Sequence, residues 1–148
     1  MQSGAIPNAL ITASSVWPDA GSEPWRARLH NQPKLPYNTY VDVAAWVAKS
    51  NAVGEYLQVD LGRAMYVTAV ATQGRPYLTS ENQRVKKYRL TYKLSGNPWM
   101  RYKEYNAFKE FVGNSDITTV VTHRLKEKLQ AQYIRFVVRQ WNFHISES

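Results

Sequence analysis

"VKKYRLTYKL", residues 85–94, alternates without a break. Tyr88, Leu90, Tyr92 and Leu94 fall on one side; Lys87, Arg89, Thr91 and Lys93 fall on the other. A period of two marks a strand with one face on a core and the other in water. "AQYIRFVVR" (131–139) repeats the pattern, with Ile134, Phe136 and Val138 inward and Arg135 and Arg139 outward. "EYLQVDL" (55–61), "YVTAVATQG" (66–74) and "DITTVVTHRL" (116–125) are rich in β-branched residues and bounded by Gly, Asn or charge, so they too are predicted strands. No segment reads as a long amphipathic helix; "LKEKLQAQ" (125–132) reads as a short helical turn. Many short strands separated by turn signals predict an all-β antiparallel sandwich or barrel.

The length, 148 residues, fits one domain with a real core, and no repeat, linker or low-complexity tract divides it. No apolar run has the length of a transmembrane span. The first ten residues, "MQSGAIPNAL", have neither the basic lead nor the apolar stretch of a secretion leader. Cysteine is absent, which excludes thiol catalysis, disulfides and cysteine-ligated metals. The net charge of +8 is lopsided. Residues 1–83 hold six basic and six acidic residues, whereas residues 84–148 hold thirteen basic and five acidic ones. Any attraction to an anionic partner therefore comes from the second half.

No catalytic pattern emerges. The three histidines, His30, His123 and His144, have no second ligand at metal spacing and read as satisfied surface or edge residues. There is no nucleophile elbow, phosphate-cradling glycine loop or HExxH. Asp60, inside "LQVDLG", reads as a structural hydrogen-bonding group. Glu104 and Glu110 lie among Lys103 and Lys109 and read as solvated charge. The chain is not expected to be an enzyme, and no catalytic, metal-ligating or cofactor-binding residue is assigned. A structural calcium ion has no supporting motif.

Two tryptophans in "ITASSVWPDAGSEPWRARL" (11–29) differ in setting. Trp25 precedes a run of ordinary core character, but Trp17 sits among Pro, Asp, Gly and Ser, where a turn is expected. Residues 16–54 form the longest irregular section, broken by four prolines yet aromatic, which argues for function over disorder.

In order along the chain stand "SGAIPNALITASS", "RARL", "YLQVDLG", "VTAVATQGR", "VKKYRLTYK", "GNSD", "TTVV", "AQYIRF" and "WNFHIS". In this order and spacing they resemble the discoidin domain, or coagulation factor V/VIII C-type domain, over about residues 2–146. The resemblance implies a single domain over 1–148, a distorted antiparallel jelly-roll barrel of about eight strands with three loops projecting from one end. It implies an extracellular, non-catalytic binding or adhesion module, secreted or part of an ectodomain. The family's terminal cysteines are missing, and the closing strand after "HIS" is expected to be shortened. Loss of such a disulfide typically costs about 2–5 kcal/mol.

The resemblance also sorts the aromatics. It places Trp46, Trp99 and Trp141 in the core, Trp25 at the base of the first loop and Trp17 at its tip. The second loop, 33–43, offers Lys34, Leu35, Tyr37 and Tyr40; the third, 75–83, offers Arg75, Tyr77, Leu78 and Glu81, with Arg84 just beyond. Trp17 and Leu78 stand where membrane-binding members insert side chains, so an anionic phospholipid surface is the first expectation. Burying two or three such side chains supplies on the order of 4–8 kcal/mol. Collagen or another extracellular protein, met by Trp17 and Arg75 with an acidic partner whose position falls near Glu81 or Gln83, is the second. Capture of a C-terminal arginine is not expected, since Asn51 stands where that mode needs an Asp. A third expectation rests on the strand face of Lys87, Arg89 and Lys93, as a surface for heparin or another sulfated glycan. Nucleic acid is not an expected partner, because the aromatics of 85–94 point inward, away from the cations.

Overall fold

The computed structural model describes residues 3–18, 21–33, 43–76 and 82–148. Ten strand segments carry the fold among them: β1 (Ile11–Ala13), β2 (Trp46–Val47), β3 (Tyr56–Thr72), β4 (Arg84–Lys93), β5 (Met100–Arg101), β6 (Lys103–Glu104), β7 (Ala107–Phe108), β8 (Phe111–Val112), β9 (Val121–Asn142) and β10 (Ser146–Glu147). The only described helical pieces are two single 3-10 turns, Asn8–Leu10 and Pro24–Arg26. A six-stranded antiparallel sheet runs β1-β3-β9-β4-β5, with β8 also paired to β4. Two small pairs, β10–β2 and β6–β7, complete the described sheets. The fold is the expected antiparallel jelly roll.

The alternation in 85–94 becomes β4 as read. Tyr88 and Leu90 are buried, while Lys87, Arg89 and Lys93 face outward. Across β3 and β9 the same inward rows hold Leu57 opposite Phe136 and Val59 opposite Ile134. These residues, with Ile11, Trp46, Val85, Tyr102, Phe111, Val138 and Ile145, make one continuous core. Burying each such side chain contributes roughly 1.5–3 kcal/mol.

Three of the predicted elements need correction. The predicted strands 55–61 and 66–74 are one strand, β3, whose register against β9 shifts between Asp60 and Met65 and again between Val67 and Ala69. The "LKEKLQAQ" stretch is not a helical turn but the middle of β9, because its backbone is claimed by β3 through pairs such as Tyr66–Gln130 and Val67–Leu129. The strand predicted from Asp116 begins at Val121 instead. Asp116 holds the preceding turn: one oxygen accepts the Thr118 and Thr119 N–H groups (2.9 and 2.6 Å) and the other accepts the Thr119 hydroxyl (2.7 Å). These bonds, led by the one to the Thr119 N–H, hold its pKa down at about 2.

Asp60 plays the structural part read from the sequence, accepting from the Gly62 N–H at 2.7 Å and the Gln132 amide at 3.3 Å. Glu104 does not lie in solvent as expected. It is largely buried, paired with Lys109 at 3.0 Å, and accepts from the Lys126 N–H. Burial raises its pKa, but the Lys109 hydrogen bond and charge outweigh that and leave it below the usual value.

Candidate functional site: the loop end

The first loop is anchored before it projects. Trp46, fully buried, donates its indole N–H to the Ser15 carbonyl at 2.8 Å. Ser15 in turn receives the Lys49 N–H on its hydroxyl at 3.0 Å. Glu55 gathers the hydroxyls of Ser14, Ser15 (2.8 Å) and Ser50 (3.1 Å), tying three segments together. The Trp17 N–H then donates to the Val47 carbonyl at 2.9 Å, and the Val47 N–H donates to Ser22 at 3.2 Å. Both sides of the loop are thereby laced to β2. Trp25 lies at its base, half-buried against the core, with the Arg26 guanidinium 4.3 Å from its ring.

Held this way, the Trp17 ring stays 40% exposed. It meets the His144 ring edge-on, with centroids 5.3 Å apart and planes at 86°. His144 is itself fixed by a 2.7 Å hydrogen bond between Nε2 and the Ala48 carbonyl. Trp17 therefore rests on the last turn of the chain, between β9 and β10.

That turn supplies a residue the sequence did not reveal. Phe143 is 64% exposed and adopts φ of +57°, a left-handed conformation that costs a bulky side chain free energy. Asn51 enforces it: its Nδ2 donates to the Phe143 carbonyl at 3.1 Å and its Oδ1 accepts the Ile145 N–H at 2.9 Å. Strained, exposed aromatic residues concentrate at functional sites. No periodicity shows this; its trace in the sequence is the Asn51 amide, standing where capture of a C-terminal arginine needs an Asp.

The stem of the third loop joins the same end. Asn142, next to Phe143, donates from Nδ2 to the Asn82 carbonyl at 2.8 Å. Arg75 bonds Gln83 twice, backbone to backbone at 3.2 Å and Nη1 to Oε1 at 2.7 Å, so an amide is a partner of this arginine. Arg84, read as a ligand-facing cation, instead holds the stem: Nη1 donates to Asn82 (2.9 Å) and Nε to Asn114 (3.2 Å). Gly74, just before the loop, passes so close to the Asp116 turn that a Cβ would lie 2.7 Å from the Asp116 carbonyl oxygen. Lys34, Leu35, Tyr37, Tyr40, Tyr77, Leu78 and Glu81 lie outside the described residues.

The basic strand face is not one patch. Glu110 draws together Lys87 (3.7 Å), Arg89 (3.5 Å) and Arg139 (3.9 Å). Lys93 lies apart from them, 5.3 Å from the Trp99 ring and 5.1 Å from that of Tyr133. Trp99, expected in the core, is on this outer face, half-exposed, because Arg135 stacks on it at 3.8 Å. Aromatics and cations therefore do interleave here, through rings on β3, on β9 and just before β5 that the reading of β4 alone could not place. Among the described residues no three His, Asp or Glu side chains converge to hold a metal ion.

Among the described residues, the anchored stem of the first loop, the turn between β9 and β10 and the stem of the third loop meet at one end of the jelly roll, where the Trp17 indole is braced but exposed. The chain matches the F5/8 type C domain over residues 10–147 and belongs to that family. It is 37% identical over 152 residues to coagulation factor V of Sus scrofa and 35% over 149 residues to neuropilin-2 of Mus musculus, in each case over 99% of this chain. It spans 6% and 15%, respectively, of those relatives' lengths. Among solved structures, discoidin II of Dictyostelium discoideum superposes with a TM-score of 0.79 at 21% identity, over 93% of this chain and 51% of that one. The family 32 carbohydrate-binding module of C. perfringens NanJ, solved with galactose, gives 0.61 at 21% identity over 96% and 95%. The family is one of extracellular binding modules, typically without catalysis of their own.

Proposed function

We propose that residues 1–148 act as one extracellular, non-catalytic binding module whose loop end engages an anionic phospholipid surface. The observation that carries this reading is the pairing of a rigid mount with an exposed ring. The Trp17 backbone N–H is tied to Val47 and its ring is braced by His144, yet Trp17 stays 40% exposed, and the residue before His144 is the exposed, strained Phe143. Exposed contiguous apolar surface marks binding sites, and tryptophan settles at the membrane–water interface. The net charge of +8 adds a general attraction to anionic headgroups. Leu78 and Tyr77 on the third loop, and Lys34, Leu35, Tyr37 and Tyr40 on the second, complete the proposed contact.

Co-sedimentation with liposomes at near-physiological salt tests the reading. The chain is expected to pellet with phosphatidylserine vesicles and not with phosphatidylcholine, and Trp17→Ala is expected to lose about tenfold in affinity, the equivalent of one interfacial ring. Equal binding of both proteins to every anionic lipid would leave charge alone as the cause and sink the proposal. Binding by neither would transfer Trp17 and Arg75 to a protein ligand, for which triple-helical collagen is the next probe.

A further inference from the structure

The outer face of the six-stranded sheet carries a second constellation, independent of the loop end. Strand register sets Arg135 of β9, Thr91 of β4 and Arg101 of β5 in one row across three strands. Tyr133 and Lys93 form the next row, and Tyr56, Val137 and Arg89 the row beyond Arg135. The Arg135 guanidinium stands 4.0 Å from the Tyr56 ring and 3.8 Å from the Trp99 ring, and its Nε donates to Gln58 at 2.8 Å. Lys93 rests near Trp99 and Tyr133. Arg101 and Lys103 lie 3.8 and 4.7 Å from Phe108.

The compensation differs sharply along this face. Lys87, Arg89 and Arg139 share the Glu110 carboxylate. Among the described residues no carboxylate lies within ion-pair distance of Lys93, Arg101, Lys103 or Arg135. Asp60, which shares the Tyr133 row, bonds Gly62 and Gln132. Aromatic rings attract these cations without neutralising them. A guanidinium set against two rings, its Nε tied, is fixed in orientation and still offers its Nη donors to a forked anion.

We propose that this face, centred on Arg135, Lys93 and Arg101, binds a linear sulfated polysaccharide. Neighbouring strands lie about 4.8 Å apart, so the Arg135–Thr91–Arg101 row presents fixed donors at regular spacing across roughly 10 Å. Fixed, discrete cations match fixed, discrete sulfates on a stiff chain, and their pre-organisation lowers the ordering cost of binding. Single-stranded nucleic acid fits less well: base stacking needs free ring faces, and the Tyr56, Trp99 and Tyr133 rings are already engaged by cations.

Calorimetric titration with a size-defined heparin oligosaccharide tests this, using the chain and two charge-matched pairs of substitutions. Arg135→Gln with Lys93→Gln is expected to weaken binding about tenfold or more, whereas Lys87→Gln with Arg89→Gln changes it less than about threefold. Arg135→Lys, which keeps the charge and loses the planar fork, should fall between the parent and the first pair. Trp17→Ala should bind as the parent does, which separates this face from the loop-end proposal. Arg101→Gln, at an exposed position, keeps the test decisive if the Arg135 variants fail to fold; it should weaken binding about threefold. No heparin binding by the parent, equal losses from the two pairs, or a length-matched single-stranded DNA binding at least as tightly would each overturn the proposal.

Discussion

At the scale of single residues, the loop end sets stability against presentation. Phe143 occupies a left-handed backbone position that Asn or Gly adopts at little cost. Its ring is mostly in water, so little packing repays the strain. Phe143→Asn is expected to raise stability by about 0.5–1 kcal/mol, visible in thermal melts, while weakening vesicle binding severalfold. A variant that melts lower would show that the Phe143 ring packs more than its exposure implies. Trp17 was legible in the sequence because a large ring among turn residues contradicts its surroundings. Phe143 was not, since positive φ leaves no periodic trace. Trp99 was misplaced for a related reason: an aromatic at a position matching the core looks the same whether it meets other apolar side chains or the flat face of an arginine on a distant strand.

The same division holds for the elements. β4 and the second half of β9 were readable because one face of each is buried and the other charged, which forces the period of two. The first half of β9 was not, because Leu, Lys, Glu, Gln and Ala are strong helix formers and local preference points the wrong way. Pairing with β3, about sixty residues earlier in the chain, decides it. Leu129 shows what is at stake: in a short surface turn it would be half in water, but here it is buried in the core opposite Val67. Leu129→Ala is therefore expected to cost about 2–5 kcal/mol in a denaturant titration. A cost near zero would mean that the strand pairing through 125–132 is wrong. The small β6–β7 pair follows the same logic on a shorter range. Tyr105 and Asn106 at its tip both have positive φ, and the Tyr105 N–H is held by Glu127 of β9 at 2.8 Å, so a tertiary bond sustains a turn that local chemistry would have assigned to Asn-Gly.

For the whole molecule, the decisive group is Glu147. β10 closes the barrel end by pairing with β2, and the backbones of Ser148 and Gln73 exchange two hydrogen bonds there, at 2.8 and 2.9 Å. This buries the Glu147 side chain next to Tyr88, and among the described residues neither carboxylate oxygen has a hydrogen-bond partner. Burial penalises the charged form and pushes its pKa from 4.5 up to about 8; burial and the nearby Glu147 likewise push the Tyr88 hydroxyl up. The unfolded chain releases this proton near pH 4.5, the folded chain only near 8. Between those values the unfolded state binds fewer protons, so stability falls as pH rises and levels off above about 8, a total on the order of 5 kcal/mol. Glu147→Gln removes the titration and keeps the shape. Its advantage over the parent in melting temperature should be small at pH 5, grow steadily to pH 8 and then hold constant. A gap that stays flat from pH 5 to pH 9 would mean that water or a cation reaches the carboxylate, and that the closing strand does not seal this end of the barrel.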